Sequence, residues 1–93
     1  MSDNKKIIVT VLGLDKVGIV AKVSSILAKY EVNIEDIKQT IMQDCFVMFL
    51  LGDISKSRYS FKEIKGGLLE AGESLKMEIW VQMKDIFDRM HKI

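Results

Sequence analysis

The chain has 93 residues, too few for two independent hydrophobic cores, and its 48% apolar and 29% charged shares are those of a globular protein. Fourteen Lys and Arg stand against 13 Asp and Glu, a net charge of +1, which argues against the basic surface that bulk nucleic-acid binding needs. One cysteine excludes an internal disulfide and a multi-cysteine metal site, and no run approaches the ~18 apolar residues of a membrane span.

The N-terminal apolar run is too short for a signal peptide, so a reduced, cytoplasmic, soluble protein without a membrane partner is expected. There is no proline and no low-complexity tract that would mark a linker. Residues 1–93 are therefore expected to form one domain, with 83–93 as a C-terminal helical extension.

Lys6 to Leu12 is rich in β-branched residues and bounded by Gly13, which predicts a first strand. Gly13 to Gly18 reads as a turn into a helix of about three turns, whose apolar stripe is Ile19, Val20, Val23, Ile26, Leu27 and Tyr30. Asp15 stands where an N-cap belongs, because its carboxylate can accept from the first-turn N–H groups. Asn33 to Met42 is predicted as the second strand, with Ile37, Gln39 and Ile41 on one face and Asp36, Lys38 and Thr40 on the other. Such charges suit an edge strand. Gln43 and Asp44 can form a hairpin turn. Cys45 to Leu51 is almost wholly apolar, as in a central strand covered on both faces.

After a polar loop from Gly52 to Ser60, Phe61, Ile64, Leu68 and Ala71 mark a second helix ending at Gly72. Gly66 and Gly67 are expected to weaken or bend it, at about 1 kcal/mol per glycine. Leu75, Met77, Ile79 and Val81 alternate with Lys76, Glu78, Trp80 and Gln82 as a fourth strand. Ile86, Phe87, Met90 and Ile93 outline a last short helix.

The expected class is α+β. It is a ferredoxin-like βαββαβ arrangement, with a four-stranded antiparallel sheet, two helices on one face and a short C-terminal helix. The strand-one and strand-three sequences are apolar on both faces, so the terminal helix or another subunit should cover the second face.

Missing residues exclude several functions of such a fold. There is no Lys/Arg-Gly-aromatic run for RNA recognition, and Phe46 and Phe49 are read as core residues on opposite faces. A metal carrier would need paired cysteines in the first loop, whereas Cys45 is alone and read as a buried small hydrophobe. An anion-holding catalytic loop would want arginine, and Arg58 and Arg89 lie elsewhere. His91, the one histidine, sits in the last helix far from any serine or cysteine nucleophile and lacks a second ligand. The expectation is no catalytic residue, no metal and no cofactor. The methionines read as core or interface filling, and Trp80 as an interface residue or one covered by the terminal helix.

The run Gly-Leu-Asp-Lys-Val-Gly-Ile-Val-Ala-Lys-Val-Ser at 13 to 24, with Val32-Asn33-Ile34 opening the second strand, resembles ACT domains. Glu35-Asp36-Ile37, Gln39-Thr40-Ile41-Met42-Gln43 and the ending Asp85 to Ile93 are similar to the small stand-alone ACT-domain proteins, and the chain is also similar to the ACT modules of a glycine-cleavage regulator and of formyltetrahydrofolate deformylase. The resemblance implies regulation by a bound amino acid or similar small zwitterion, in a homodimer or higher oligomer. The effector would lie between one subunit's first turn and the other's second strand.

The ligand-binding residues so implied are Leu14, Asp15, Lys16, Val17, Gly18, Ile19, Asn33 and Ile34. Asp15 can be a helix cap as well as a ligand contact, Gly18 a backbone requirement or an effector approach, and Asn33 a strand-start residue or an amide contact. Gln39 and Thr40 read as a solvated or interface edge. The chain departs from the family at Val17, where proline is frequent, so its turn is less rigid. Asp15 makes an α-ammonium its natural partner. With no output domain attached, a signal would pass to a protein partner. The alternative is an adaptor that docks on a partner through the dimer surface and the terminal helix without an effector.

Overall fold

The computed structural model describes residues 5–14 and 17–90. Its elements follow as β1 (Lys6–Leu14), α1 (Ile19–Lys29), β2 (Asn33–Met42), β3 (Cys45–Asp53), α2 (Phe61–Leu75), β4 (Glu78–Met83) and α3 (Lys84–Met90). The strands form one antiparallel sheet in the order β2-β3-β1-β4, the expected ferredoxin-like topology.

Strand alternation divides the sheet. Ile7, Val9 and Val11 of β1, Phe46, Met48 and Leu50 of β3, and Ile79 and Val81 of β4 are buried on one face. They share a core with Ile19, Val23 and Leu27 of α1 and Ile64 and Leu68 of α2, the 3.6-residue stripes of the two helices. The opposite face carries Ile8, Thr10 and Leu12, then Val47, Phe49 and Leu51, then Trp80 and Gln82. Helix α3 folds back over the β1–β4 part of it. Phe87 shares a cavity of about 290 Å³ with Thr10, Leu12, Val47, Phe49, Trp80 and Gln82. The Gln82 side-chain amide lies 3.6 Å from the Met90 sulfur. Thr10 is buried there, but Phe49 and Trp80 stay 45% and 51% exposed.

Several expectations are corrected. Phe49 is not core, and β3 is covered fully on one face only, because α3 is too short to reach across the sheet. Cys45 is half-buried rather than buried, since it ends β3 opposite the exposed Leu14 and Met42. Among the methionines, Met48 and Met77 fill the core, while Met42 and Met90 are exposed.

β1 runs on through Gly13 and Leu14, which pair with Phe46 and Cys45. A Cβ at Gly13 would come within 3 Å of the Met77 side chain, so glycine there permits the strand to pass and does not begin a turn. Gly52 and Asp53 likewise belong to β3. Helix α2 does not stop at Gly72, which is buried against Met77 and Ile79. It ends after Leu75, with Lys76 in the left-handed conformation at φ 59°, so β4 starts at Glu78.

The paired glycines do not interrupt α2. The Tyr30 ring lies against Gly67, where any Cβ would overlap it. Tyr30 also meets Tyr59 edge to face, with centroids 5.0 Å apart. Packing thus offsets the low helix propensity of glycine. The terminal residues 91–93, including His91 and Ile93, lie outside the described residues.

Candidate functional site

The β1–α1 junction follows from a helix that starts without a side-chain cap. The N-cap of α1 is Gly18, at φ 85° and ψ 7°, so the expected cap, Asp15, does not hold that position. Only glycine takes this backbone conformation without steric cost, and a Cβ at Gly18 would meet nothing within 4 Å. The first turn of α1 contains no acidic residue, and Gly18 offers no side-chain acceptor to its N–H groups. Such a helix start suits an anion such as a carboxylate.

Around it, Leu14 and Val17 are exposed, while the Ile19 side chain is in the core and contributes only its main chain to the junction. Asp15 and Lys16 lie outside the described residues. At the same end of the sheet Leu14 pairs with Cys45, and Cys45 with Met42. The exposed side chains of Leu14, Ile41 and Met42 therefore lie at the hairpin end of the sheet.

Asn33 and Ile34 are at the other end. β2 runs parallel to β1 in space, because each is antiparallel to β3, so Asn33 and Lys6 both pair with Asp53. The nine residues of β1 alone span roughly 30 Å at about 3.4 Å per residue. One protomer therefore does not bring the Gly18 turn and Asn33 together.

Asn33 is exposed and lines a cavity of about 310 Å³ with Glu31, Asp53, Ser55 and Lys56, while Ile34 is half-buried against the core. Glu31, at φ 61°, accepts from the main-chain N–H of Arg58 at 2.9 Å and from its Nε at 2.8 Å, with Nη2 at 2.6 Å. The Arg58 side chain is the first cause holding the Glu31 carboxyl below the usual carboxylate range, and the Arg58 main-chain N–H is the second. The Ser55 main-chain N–H, donating to Asp53 at 2.8 Å, does the same for Asp53. The cavity beside Asn33 thus carries two ionised carboxylates, but Glu31 is ion-paired with Arg58 and the Lys56 ammonium shares the lining, so it has no marked excess of either charge.

Glu31 and Asp53 gave no signal in the sequence. The β2–β3 pairing brings Asp53 opposite Asn33 and so near Glu31, and loop 54–60 folds back on the α1–β2 turn, tied by Arg58 to Glu31 and by the Ser57 hydroxyl donating to the Tyr30 carbonyl at 2.6 Å. Among the described residues no cluster of three His, Cys, Asp or Glu could hold a metal, and no helix is long and apolar enough to cross a membrane.

Comparison with known proteins gives a consistent family. The family model described as "ACT domain" matches residues 5–82. A UPF0237 protein of Clostridium acetobutylicum is 50% identical over 88 residues, covering 95% of this chain and 99% of the relative. A solved ACT domain protein from Streptococcus pneumoniae superposes with a TM-score of 0.78 at 36% identity, covering 89% of this chain and 93% of that one. At the level of fold alone, a formyltetrahydrofolate deformylase from Pseudomonas putida superposes at 0.73 with 15% identity, covering 83% of this chain and 28% of that one. A putative glycine cleavage system transcriptional repressor does so at 0.74 with 19% identity, covering 83% of this chain and 44% of that one.

Proposed function

The chain belongs to the ACT-domain family, and from that premise we propose that it is a small cytoplasmic regulatory module that binds an amino acid, or a similar zwitterion, at a homodimer boundary and signals to a partner protein. The observation that carries this reading is the start of α1: a left-handed glycine N-cap, no acidic first turn and exposed surroundings. Main-chain N–H groups there hold the effector's carboxylate. Asp15 is the natural partner of its ammonium, and the exposed Asn33 of a second copy closes the site with its amide. The turn and Asn33 lie at opposite ends of β1 and β2, so closing the site takes two copies. Binding transmits a signal to the extent that the effector prefers one dimer geometry over another.

The test is thermal unfolding against each common amino acid at millimolar concentration. An effector at 100 times its Kd stabilises by about 2.7 kcal/mol, a shift on the order of 10 °C for a domain of this size. One or two amino acids should give it, and Asn33→Ala should abolish it while leaving the dimer intact. The exposed Phe49, Trp80, Ile86 and Met90 favour a second reading, an adaptor docking through α3 and the open sheet face. That reading predicts no shift with any amino acid and no effect of Asn33→Ala beyond small changes in stability.

A further inference from the structure

We propose that the cavity beneath α3 binds a neutral, planar aromatic molecule of one or two rings that carries a hydroxyl or a ring N–H. This site stands apart from the amino-acid reading, since none of its residues belongs to the β1–α1 turn or to the start of β2.

The floor of the cavity is one row of the sheet. Thr10 of β1 pairs with Phe49 of β3 on one side and with Trp80 of β4 on the other. Neighbouring strands lie about 4.8 Å apart, so the two aromatic residues stand roughly 10 Å apart across a small one. Side chains rise from a strand nearly perpendicular to the sheet. A trough therefore opens above Thr10, wide enough for one planar ring at a contact distance of about 3.5–4 Å from each wall. Phe49 and Trp80 are 45% and 51% exposed, so ring surface is available on both sides. Phe87, reaching over from α3, supplies a third aromatic surface. The enclosed volume of about 290 Å³ is at the lower end for small-molecule sites, which limits the occupant to one or two rings.

The polar groups set the rest of the ligand's chemistry. Thr10 is only 7% exposed, the one buried polar residue among those described. Among the described residues its hydroxyl has no hydrogen-bond partner, yet no buried side-chain polar atom is sealed off unpaired. The hydroxyl therefore opens on the cavity, where it can donate or accept. Beside it, the Gln82 amide has the Met90 sulfur as its contact at 3.6 Å, a weak acceptor that a ligand oxygen or nitrogen readily replaces. Every residue lining the cavity is uncharged. A charged ligand would lose its hydration there without a counter-ion, so the occupant is neutral and a zwitterionic amino acid is disfavoured.

Trp80 is the chain's one tryptophan, so its indole N–H gives a single side-chain signal in a proton–nitrogen correlation spectrum. Titration with indole or with phenol should shift that signal saturably. Cyclohexanol keeps the hydroxyl of phenol but has no aromatic face, and it should bind about tenfold more weakly or not at all. Thr10→Val removes the hydroxyl at nearly constant volume and should weaken phenol binding about fivefold. Phe87→Ala should weaken it about tenfold, and Thr10→Val carries the test where the loss of Phe87 unseats α3. No saturable shift with either probe, cyclohexanol binding as well as phenol, or full affinity retained in both variants overturns the site. A Trp80 signal that moves on dilution of the chain alone assigns the trough to a second copy and overturns it too. In each of these cases the amino-acid thermal shift stands as a separate result.

Discussion

At the start of α2 the Ser60 hydroxyl accepts from the Glu63 N–H at 3.1 Å, and the Glu63 carboxylate accepts from the Ser60 N–H at 2.8 Å. At the start of α1 the same position is Gly18, held at φ 85°, with no side-chain acceptor and no acidic residue in the first turn. Both helices leave the same sheet and bury the same kind of stripe, yet one N-terminus is closed by its own side chains and the other has no side-chain cap among the described residues. A capping box satisfies orphan N–H groups locally and makes the helix start a structural element. A helix start without one exposes donors to whatever anion arrives. The contrast separates two βα junctions, α2 closed by its own capping box and α1, on the proposed reading, the place where an effector binds.

The largest expected effect comes from disturbing the closed helix in its middle. Gly67→Ala would drive Tyr30 off α2 and cost about 2 kcal/mol, a fall in Tm of roughly 10 °C. The amino-acid response should survive. Gly18→Ala meets no neighbouring atom, so its cost of about 1.5 kcal/mol is the backbone strain of the left-handed conformation alone. Here the response to amino acids should be lost, which reverses the pattern seen at Gly67. Ser60→Ala should cost about 1 kcal/mol by chemical denaturation and leave binding unchanged.

The smallest effect is one of pH. Glu31 is held below its ordinary carboxylate pKa by Arg58, so its contribution is present above the unfolded-state pKa and is lost as pH falls through the lower folded-state value. Glu31→Gln should therefore reduce the loss of stability on acidification. A variant whose acid slope matches that of the unmodified chain would remove Glu31 from the account.

Much of the fold was legible because its signals are local. The bounds Asn33 to Met42 for β2 and the turn at Gln43 and Asp44 follow from alternation and turn chemistry, and Gln43 adopts φ 58° there. The failures came where a distant contact overrides a local preference. Gly13 reads as a turn residue, but Met77 needs it small inside a strand. Gly67 reads as a helix weakness, but Tyr30 occupies the space a side chain would take. Phe49 reads as core because its neighbours are apolar, and no local pattern reveals how far a short terminal helix reaches across the sheet. At the candidate site, Gly18 and Asn33 could be marked by resemblance, whereas the pairing of Glu31 with Arg58 depends on how loop 54–60 folds back.

The central claim is that the effector site is shared between two copies, and mixing subunits tests it most directly. Asn33→Ala keeps the turn and loses the amide, and Gly18→Ala does the opposite, so neither variant alone should bind the effector found for the unmodified chain. After co-refolding equal amounts, half of the dimers are mixed and each carries one intact site, so calorimetry should recover about a quarter of the original binding capacity. No recovery in a mixture shown to contain mixed dimers, or full binding by either variant alone, would contradict a site built from both copies.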